Sequence, residues 1–496
     1  MRDHDAKLIP LSNQTLNDLP AAILRPKYDR KALTPGIVHI GLGNFHRAHQ
    51  AWYLHRLMQE GQALDWAIIG ASVRNEDSAQ RQRLAEQDHL TTLIELDPSG
   101  TSAEVIGSMI GYVPIEDGHG PLIRQMADPR IRIVSLTVTE GGYFLDPATK
   151  RFDDRHPDIQ HDARHLDRPR TAFGAIVAAL RARRDADAGP FTCQSCDNLP
   201  GNGTILRDVV VGLGNLADPE LGAWIEQNAR FPNSMVDCIV PATGTKERAL
   251  AQSLGIADQA PVTHENFRQW VMEDDFCAGR PPWENAGATL SDRVHDYEAM
   301  KLRLLNGGHQ IIAAPAELLG LETIADAMAH DLIRGFLRKV ALTEIVPHVP
   351  AVREMTPVQY VELIDQRFSN PAIHDTVRRV AFDGSSRHTG AVIPVIRDAI
   401  SNGAELEGLA LSQALWASMC RGQRENGSAI APNDPAWKQL NAAAHQAIAN
   451  PQAWLEQRQF YGSIGEDDRF RSAFARCFNA LRGDGLESTI GRYLNP

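Results

Sequence analysis

The feature that most constrains the fold is an apolar run that ends in two glycines and passes directly into a helical pattern. Residues 37–43 read Ile-Val-His-Ile-Gly-Leu-Gly, a helical pattern follows over residues 47–60, and a second apolar run occupies residues 66–73. A strand, a helix and a strand of these lengths form a βαβ unit with the right-handed crossover of parallel sheets. The pattern therefore predicts a doubly wound, Rossmann-like α/β sheet near the start of the chain.

Further strands are predicted along the same part of the chain. Residues 131–138 form an apolar run with few charges, as expected of a strand that is buried on both faces of a parallel sheet. Residues 191–196 and 235–240 are weaker candidates of the same kind. Helical patterns lie between these runs, which is the alternation that a doubly wound sheet requires.

The character of the sequence changes near Asp292. Beyond it strand-like runs become scarce and helical spacing dominates, as in residues 409–420. A chain of 496 residues also exceeds the size that one hydrophobic core supports. We therefore expect a Rossmann-like domain over residues 1–290 and a mainly α-helical domain over residues 291–496.

Charge and cysteine content exclude several classes of protein. The net charge of −12 argues against nucleic acid or an anionic membrane as the main partner. The apolar runs are strand-sized, and the first residues lack the apolar region of a secretory signal, so a cytoplasmic protein is expected. Cys193 and Cys196 form a C-x-x-C pair without a second pair or nearby histidines at zinc spacing, so they favour a structural role, and no metal site is expected.

The two glycines of the first strand-to-helix turn suggest a dinucleotide site. Gly41 would form the tight turn, and Gly43 would let the backbone approach a pyrophosphate at the helix N-terminus. The third glycine of the usual fingerprint is missing, because His46 occupies its position. A sharp turn alone could also require two glycines, but the strand before and the helix after it favour a dinucleotide site.

Two acids after the second predicted strand bear on the choice of cofactor. Glu76 and Asp77 would favour NAD, because they would bind ribose hydroxyls and repel the 2′-phosphate of NADP. Arg74 is the counter-argument, since it could hold that phosphate. Alternatively, the two acids only begin the next helix, where they suit the helix dipole.

The residues best suited to chemistry lie in one predicted helix of the second domain. On an unbroken α-helix with Lys301 at 0°, Glu298 falls near about 60°, His309 near about 80° and Asn306 near about 140°. A partly desolvated lysine can act as a base, and an asparagine amide can stabilise a developing alkoxide. The alternative is a surface lysine beside a core histidine and a capping asparagine, but the shared face favours a catalytic group.

Tyr297 and Lys301 also show the Y-x-x-x-K spacing of short-chain dehydrogenases. The serine that precedes the tyrosine in those enzymes is missing here, which argues against that class.

Over nearly its whole length the chain resembles the long-chain mannitol dehydrogenase family. The resemblance rests on five ordered motifs and a sixth, later stretch. They are G-x-G-x-F-x-R-A-H-Q at 41–50, S-L-T-V-T-E-G-G-Y at 135–143, S-C-D-N-L-P-x-N-G at 195–203, F-P-N-x-M-V-D at 231–237, K-x-x-x-x-N-G-x-H at 301–309 and R-F-S-N-P at 367–371. The family includes mannitol, arabinitol and uronate oxidoreductases, so the resemblance implies a zinc-independent dehydrogenase.

The resemblance also implies roles for individual residues. Lys301 would be the general base, Asn198 and Asn306 would form the oxyanion hole, His309 would orient the substrate, and Glu298 would relay the proton to solvent. The substrate would contact Asp237, Arg379 and Arg387. The cofactor would contact Gly41, Gly43, Asn44, Phe45, Arg47, Glu76, Asp77 and Glu140.

Three departures from the family pattern put the substrate preference in doubt. Cys238 replaces an arginine, His264 replaces a cysteine, and His388-Thr-Gly replaces a proline-containing stretch.

The resemblance implies an NAD-dependent polyol 2-dehydrogenase acting on mannitol and fructose, and a monomer. Fructuronate reductase and D-arabinitol or sorbitol dehydrogenase stay as alternatives. A binding protein without chemistry is disfavoured, because it would not need a buried base.

Overall fold

The computed structural model describes residues 8–146, 149 and 151–495, and of Glu140 the backbone alone. The chain divides into two compact units, one ending at His295 and one beginning at Asp296. Each unit has its own hydrophobic core.

The first unit is built on a five-stranded parallel sheet. Its strands, in spatial order, are Met109–Tyr112, Ala67–Ala71, Pro35–Ile40, Ile133–Leu136 and Thr192–Ser195. The chain starts at the central strand, adds two strands on one side and then two on the other. This order confirms the predicted Rossmann-like sheet, and it puts the reversal of strand order beside Pro35–Ile40, where ligands of such sheets bind.

For one of the weaker predicted strands, the predicted type of strand pairing was wrong. Ser234–Asp237 lies outside the parallel sheet and pairs antiparallel with Gln269–Met272. An apolar run identifies a buried strand, but the partner that it pairs with is set by contacts distant in sequence. The remaining strands are Ile9–Pro10, Thr91–Asp97, Gly100–Ile106, Ile256–Ala257, Val262–Glu265 and Thr289–Leu290.

Helices flank the sheet and make up the second unit. The α-helices up to the division of the chain are Asn44–Ala48, Gln50–Gln59, Ser78–Glu86, Gly120–Ala127, Pro157–Arg164, Ala172–Asp185, Asn202–Ala217, Pro219–Asn228 and Thr245–Ser253, and the helix Val294–Met300 spans the division. Those after it are Gly307–Leu319, Ile324–Ala329, Asp331–Val340, Pro357–Phe368, Val377–Ala381, Gly384–Arg387, Ile393–Ser401, Glu407–Cys420, Trp437–Gln446, Gln452–Leu455, Arg458–Tyr461, Asp468–Asp484 and Leu486–Leu494. Three π-helices join them at Lys301–Asn306, Ala341–Ile345 and His388–Val392.

The helix Gly307–Leu319 is the centre of the second unit. All of its residues except Leu319 are buried, and it packs against Glu407–Cys420 and Val377–Ala381. A helix that is buried on all sides belongs to the core of its unit. Whatever lies in its first turn is therefore held by a rigid element. None of the helices in the described part of the chain combines the length and apolar character needed to cross a membrane.

Buried histidines make the fold sensitive to acid. Burial lowers the pKa of five of them to about 3 and that of a sixth, His46, well below its usual value. The five are His39, His55, His264, His309 and His388. Each takes up a proton on unfolding between its folded pKa and its unfolded value of about 6.5, so stability that is present above pH 6.5 is lost as the pH falls.

We expect the free energy of unfolding in urea to fall steeply between pH 7.5 and pH 5. Each fully shifted imidazole contributes up to about 1.4 kcal/mol per pH unit. His388→Gln should flatten this dependence, since the imidazole is lost. Unfolding free energies that do not change over this range would contradict the burial of these groups as neutral imidazoles.

Candidate functional site

The first glycine of the strand-to-helix turn has no substitute. Gly41 has φ +97°, and a Cβ at this position would lie 2.0 Å from the carbonyl oxygen of Thr137. The Gly41 N–H donates to the carbonyl of Ala71 at 3.0 Å. The turn is thus packed where the central strand meets both of its neighbours, and only glycine fits there.

The second glycine faces open space. Gly43 has ordinary backbone angles, φ −84° and ψ −175°, and it precedes the helix Asn44–Ala48. A Cβ at Gly43 would meet no protein atom within 4 Å. No packing requirement of the described protein therefore explains this glycine, whereas the close approach of a diphosphate to the backbone would explain it. The turn fits a dinucleotide.

Alanine substitutions at these two glycines should differ in their effects on stability and on NAD binding. Gly41→Ala should lower the free energy of unfolding, because the new methyl group would clash with Thr137. Gly43→Ala should leave it within about 0.5 kcal/mol of the wild type and should weaken NAD binding by about tenfold, which corresponds to about 1.4 kcal/mol. Urea unfolding and titration of tryptophan fluorescence with NAD measure the two effects. Unchanged NAD affinity in Gly43→Ala would remove the turn from the cofactor site.

The remaining polar residues of this motif brace the turn from inside. Asn44 donates through Nδ2 to the carbonyl of Pro241 and to Thr243 Oγ1, both at 2.9 Å. Arg47 is buried and donates to Asn44 Oδ1 at 2.7 Å and to the carbonyl of Ala260. These hydrogen bonds fix the shape of the turn, and a contact of either side chain with the cofactor stays a prediction.

Aromatic rings replace the missing third glycine and pack behind the turn. His46 is buried and stacks on His39, with ring centroids 3.4 Å apart. Phe45 stacks on His49 at 4.8 Å. The helix is thus held against the first strand by ring stacking, where the usual fingerprint has a glycine.

The acids after the second strand lie in the turn Asn75–Asp77. Asp77 accepts hydrogen bonds from Ser72 Oγ and from Arg74 Nη2, the latter at 3.0 Å. Glu76 is exposed. Arg74, which could have held a 2′-phosphate, is paired with Asp77, so the turn as a whole favours NAD. The side chain of Glu140 lies outside the described part of the structure.

Two predicted site residues of the first unit, Asn198 and Asp237, lie at or just after the end of a strand. Asn198 is exposed and follows Thr192–Ser195 at the carboxyl edge of the parallel sheet, while Asp237 is buried at the end of its antiparallel strand. Asn202, which the sequence analysis did not single out, connects the two strands. Its Nδ2 donates to the carbonyl of Ser234 at 2.8 Å and to that of Ser195 at 3.3 Å.

In the second unit, the predicted α-helix around Lys301 is interrupted by the π-helix Lys301–Asn306. Its hydrogen bonding includes one from the N–H of Gly307 to the carbonyl of Leu302, five residues earlier. The assumption of an unbroken α-helix was therefore wrong. When the π turn is counted as absorbing one residue, Asn306 moves to about 40° and His309 to about −20° from Lys301. The correction brings the candidate residues closer together on one face.

This face is buried and carries an imidazole that stays neutral. Lys301 and Glu298 are each 6% exposed, and His309 is 9% exposed. His309 stacks on Phe368 with ring centroids 4.0 Å apart, and burial lowers its pKa to about 3. Its Nε2 is buried with no hydrogen-bond partner among the described residues. An unsatisfied buried nitrogen on the same helical face as a buried lysine is suited to a site for a hydroxylated ligand.

The two predicted substrate arginines both donate hydrogen bonds within the protein. Arg379 donates through Nε and Nη2 to the two carboxylate oxygens of Asp375, each at 2.6 Å. Arg387 donates to the carbonyl of Val380 at 3.2 Å. Because Asp375 offsets the charge of Arg379, this arginine is better suited to hydrogen-bonding a neutral hydroxyl than to binding a carboxylate.

Two of the departures from the family pattern are buried and contribute to packing. His264 Nε2 lies 2.9 Å from Arg268, whose guanidinium lies over the ring of Trp52. His388 stacks on Trp416 at 4.2 Å. Cys238, the third departure, follows the strand Ser234–Asp237 and is half-buried.

The cysteines of the C-x-x-C pair are buried, and neither forms a disulfide. Burial raises the pKa of both Cys193 and Cys196, which makes them poor nucleophiles. Among the residues that the structure describes, no group of three or more histidines, cysteines or carboxylates could hold a metal ion.

Comparisons with known proteins agree across the whole chain. Residues 35–285 match the family model of the mannitol dehydrogenase Rossmann domain, and residues 293–482 match that of the mannitol dehydrogenase C-terminal domain. The chain is 53% identical to a mannitol 2-dehydrogenase of Cereibacter sphaeroides over 473 residues, covering 95% of this chain and 99% of the relative.

Two solved structures are similar throughout. One is the Pseudomonas fluorescens mannitol 2-dehydrogenase ternary complex with NAD and D-mannitol. Its TM-score is 0.89 at 39% identity, covering 98% of this chain and 100% of the other. The other is a D-sorbitol dehydrogenase in substrate-free form, with a TM-score of 0.88 at 34% identity, covering 97% of this chain and 100% of the other.

Proposed function

The chain belongs to the mannitol dehydrogenase family, and on that premise we propose that it is an NAD-dependent polyol 2-dehydrogenase interconverting D-mannitol and D-fructose. The observation that carries the chemistry is the buried Lys301 on one helical face with the neutral His309. The substrate follows from the relatives named as mannitol 2-dehydrogenases, at 53% identity in the Cereibacter protein.

Residues of the first unit would hold the cofactor. The Gly41 turn shapes the approach of the diphosphate, Gly43 leaves room for it, and Glu76 and Asp77 would bind ribose hydroxyls. NAD, when bound, supplies the acceptor for the hydride that leaves the alcohol carbon.

The protein's part in the chemistry is to move one proton and stabilise one oxygen. Lys301 would take the proton from the reacting hydroxyl, because a lysine amine can act as a general base. The amides of Asn198 and Asn306 would each donate to an oxygen on which negative charge develops. Glu298, three residues before Lys301, would pass the proton to solvent.

The remaining predicted residues would select the substrate. His309 would orient a hydroxyl through Nε2, and Phe368 fixes the plane of its ring. Arg379, Arg387 and Asp237 would contact further hydroxyls. It stays a prediction that the functional domains divide between residues 290 and 291. A monomeric state and a cytoplasmic location also stay predictions.

The pairing of Arg379 with Asp375 weighs against the uronate alternative. A reductase for fructuronate needs a cation for the substrate carboxylate, and here a protein carboxylate already occupies the fork of Arg379. Sorbitol oxidation stays a second candidate, because a D-sorbitol dehydrogenase is similar over 97% of the chain.

A substrate panel tests the proposal. NADH oxidation with fructose, fructuronate and xylulose should be fastest with fructose, and mannitol oxidation should be faster with NAD than with NADP. A parallel assay after treatment with a chelator should give the same rate. A clear preference for fructuronate would contradict the proposed substrate, and loss of activity to the chelator would contradict a lysine-based mechanism without metal.

A further inference from the structure

One non-glycine residue at the carboxyl edge of the parallel sheet has a strained backbone. Thr139 has φ 69° and ψ 160°, a conformation that is almost confined to glycine and is especially unfavourable for a β-branched side chain. It lies three residues after the end of the strand Ile133–Leu136 and directly before Glu140. Strained residues persist where the surroundings fix them, and they cluster at functional sites.

The group that fixes Thr139 is the carboxylate of Asp197. Its two oxygens accept hydrogen bonds from consecutive backbone N–H groups, that of Val138 at 3.1 Å and that of Thr139 at 2.9 Å. A third hydrogen bond comes from the hydroxyl of Tyr143 at 2.8 Å. Burial and the charge of Asp197 raise the pKa of Tyr143 well above its usual value, so this hydroxyl stays a donor.

The backbone of Asp197 is held as firmly as its side chain. Its carbonyl accepts hydrogen bonds from Asn202 Nδ2 at 3.1 Å and from the N–H of Leu199 at 2.9 Å. Asn198 follows the fixed Asp197 in the chain. Asn198 is exposed, whereas Asp197 is 8% exposed. The backbone position of Asn198 is therefore fixed by the residue before it.

We propose that Asp197 is a positioning residue for the reaction, acting on two groups at the carboxyl edge of the parallel sheet. Its carboxylate holds the strained loop 138–143 at the cofactor-binding edge, and its fixed backbone orients the amide of Asn198. The proposal rests on the role of Asn198 in the proposed function. Asp197 acts through these groups and does not contact the substrate.

The chain contains a matched control for this carboxylate. Asp162 is fully buried and also accepts hydrogen bonds from two consecutive N–H groups, those of Arg170 at 2.7 Å and Thr171 at 3.0 Å, and from one hydroxyl, Thr171 Oγ1, at 2.7 Å. It lies on the helix Pro157–Arg164 and belongs to no predicted site. Asp162→Asn therefore reports the loss of stability that such a substitution causes by itself.

The experiment compares Asp197→Asn with Asp162→Asn. Both should lower the free energy of unfolding by similar amounts, because an amide NH2 cannot accept a hydrogen bond from a backbone N–H. Only Asp197→Asn should lower kcat for fructose reduction, by about thirtyfold, with KM changed less than threefold, and only it should raise the NAD dissociation constant in a fluorescence titration. Equal kcat and equal NAD affinity in the two variants would overturn the proposal.

Two further variants make the result specific. In an Asn198→Ala background, Asp197→Asn should lower kcat much less than in the wild type, because the amide that it positions is gone. Tyr143→Phe, which removes only the hydroxyl, should show a weaker form of the Asp197→Asn defect, and it replaces that variant if Asp197→Asn does not fold. Full additivity with Asn198→Ala, or a Tyr143→Phe enzyme identical to the wild type, would overturn the proposal. If the wild type fails to reduce fructose, the proposed function is wrong, while the NAD titration still tests the hold on loop 138–143.

Discussion

Replacing Lys301 by alanine should lower kcat for mannitol oxidation at neutral pH by about 10³-fold, within the range that general acid–base catalysis contributes. The side chain is 6% exposed at the start of a π-helix, so the substitution removes the buried amine and leaves the helix in place. NAD binding should persist, because the residues proposed to hold the cofactor lie in the first unit. Steady-state kinetics and fluorescence titration with NAD measure the two effects.

The controls separate loss of a base from loss of a buried side chain. Lys301→Arg keeps the positive charge, but a guanidinium cannot act as a base, so it should be nearly as inactive as the alanine variant. Lys339, a half-buried lysine of the same unit whose ammonium donates to the carbonyl of Tyr493 at 2.6 Å, serves as the control for loss of a hydrogen-bonded lysine. Lys339→Ala should lose stability with little change in kcat. An active Lys301→Ala enzyme would remove the lysine from its role.

A small primary amine provides a sharper test. Methylamine added to Lys301→Ala should restore part of the rate, because it can take the place of the missing side chain as a base. The recovered rate should rise with pH as more of the free amine is deprotonated. The same amine should leave the wild-type rate unchanged. Absence of rescue at every pH would argue for a positioning role of Lys301.

The fold was predictable where its signals are local. The parallel sheet follows from apolar runs joined by a glycine turn, and the Cβ clash at Gly41 is the physical reason for that glycine. The antiparallel strand Ser234–Asp237 was assigned to the wrong kind of pairing, because its partner Gln269–Met272 is distant in sequence. Pairing of this kind is decided by the assembled core and leaves no mark on the run itself.

The site was predictable as a set of residues but not in its geometry. The residues that flank the π-helix have ordinary helical backbone angles, such as φ −59° and ψ −50° at Met300. None of them therefore needs a special residue type that would signal the interruption in the sequence. The segment packs against the two other π-helices, Ala341–Ile345 and His388–Val392, which shows that tertiary contacts select it. Asp197 and Asn202 both belong to the quoted motif at 195–203, but the motif does not show their roles, because their partners Thr139 and Ser234 are distant in sequence.

Asn306 is the next most sensitive position of the second unit. It ends the π-helix and precedes Gly307 in the rigid central helix, so its backbone is held in place on both sides. Asn306→Ala should lower kcat by about 10²-fold with a smaller effect on KM, the size of loss found when one donor to a developing oxyanion is removed. That factor corresponds to about 2.7 kcal/mol of transition-state stabilisation.

The aspartate variant decides whether the amide acts as a donor. Asn306→Asp has nearly the same shape, but its carboxylate would repel a developing alkoxide, so we expect it to lose more activity than the alanine variant. Asn441, whose Nδ2 donates to the carbonyl of Cys420 at 2.9 Å, is the matched amide of the same unit. Asn441→Ala should lower the free energy of unfolding and leave kcat unchanged. Equal activity of Asn306→Asp and Asn306→Ala would mean that no negative charge develops near this amide, and stabilisation of the alkoxide would then have to come from elsewhere.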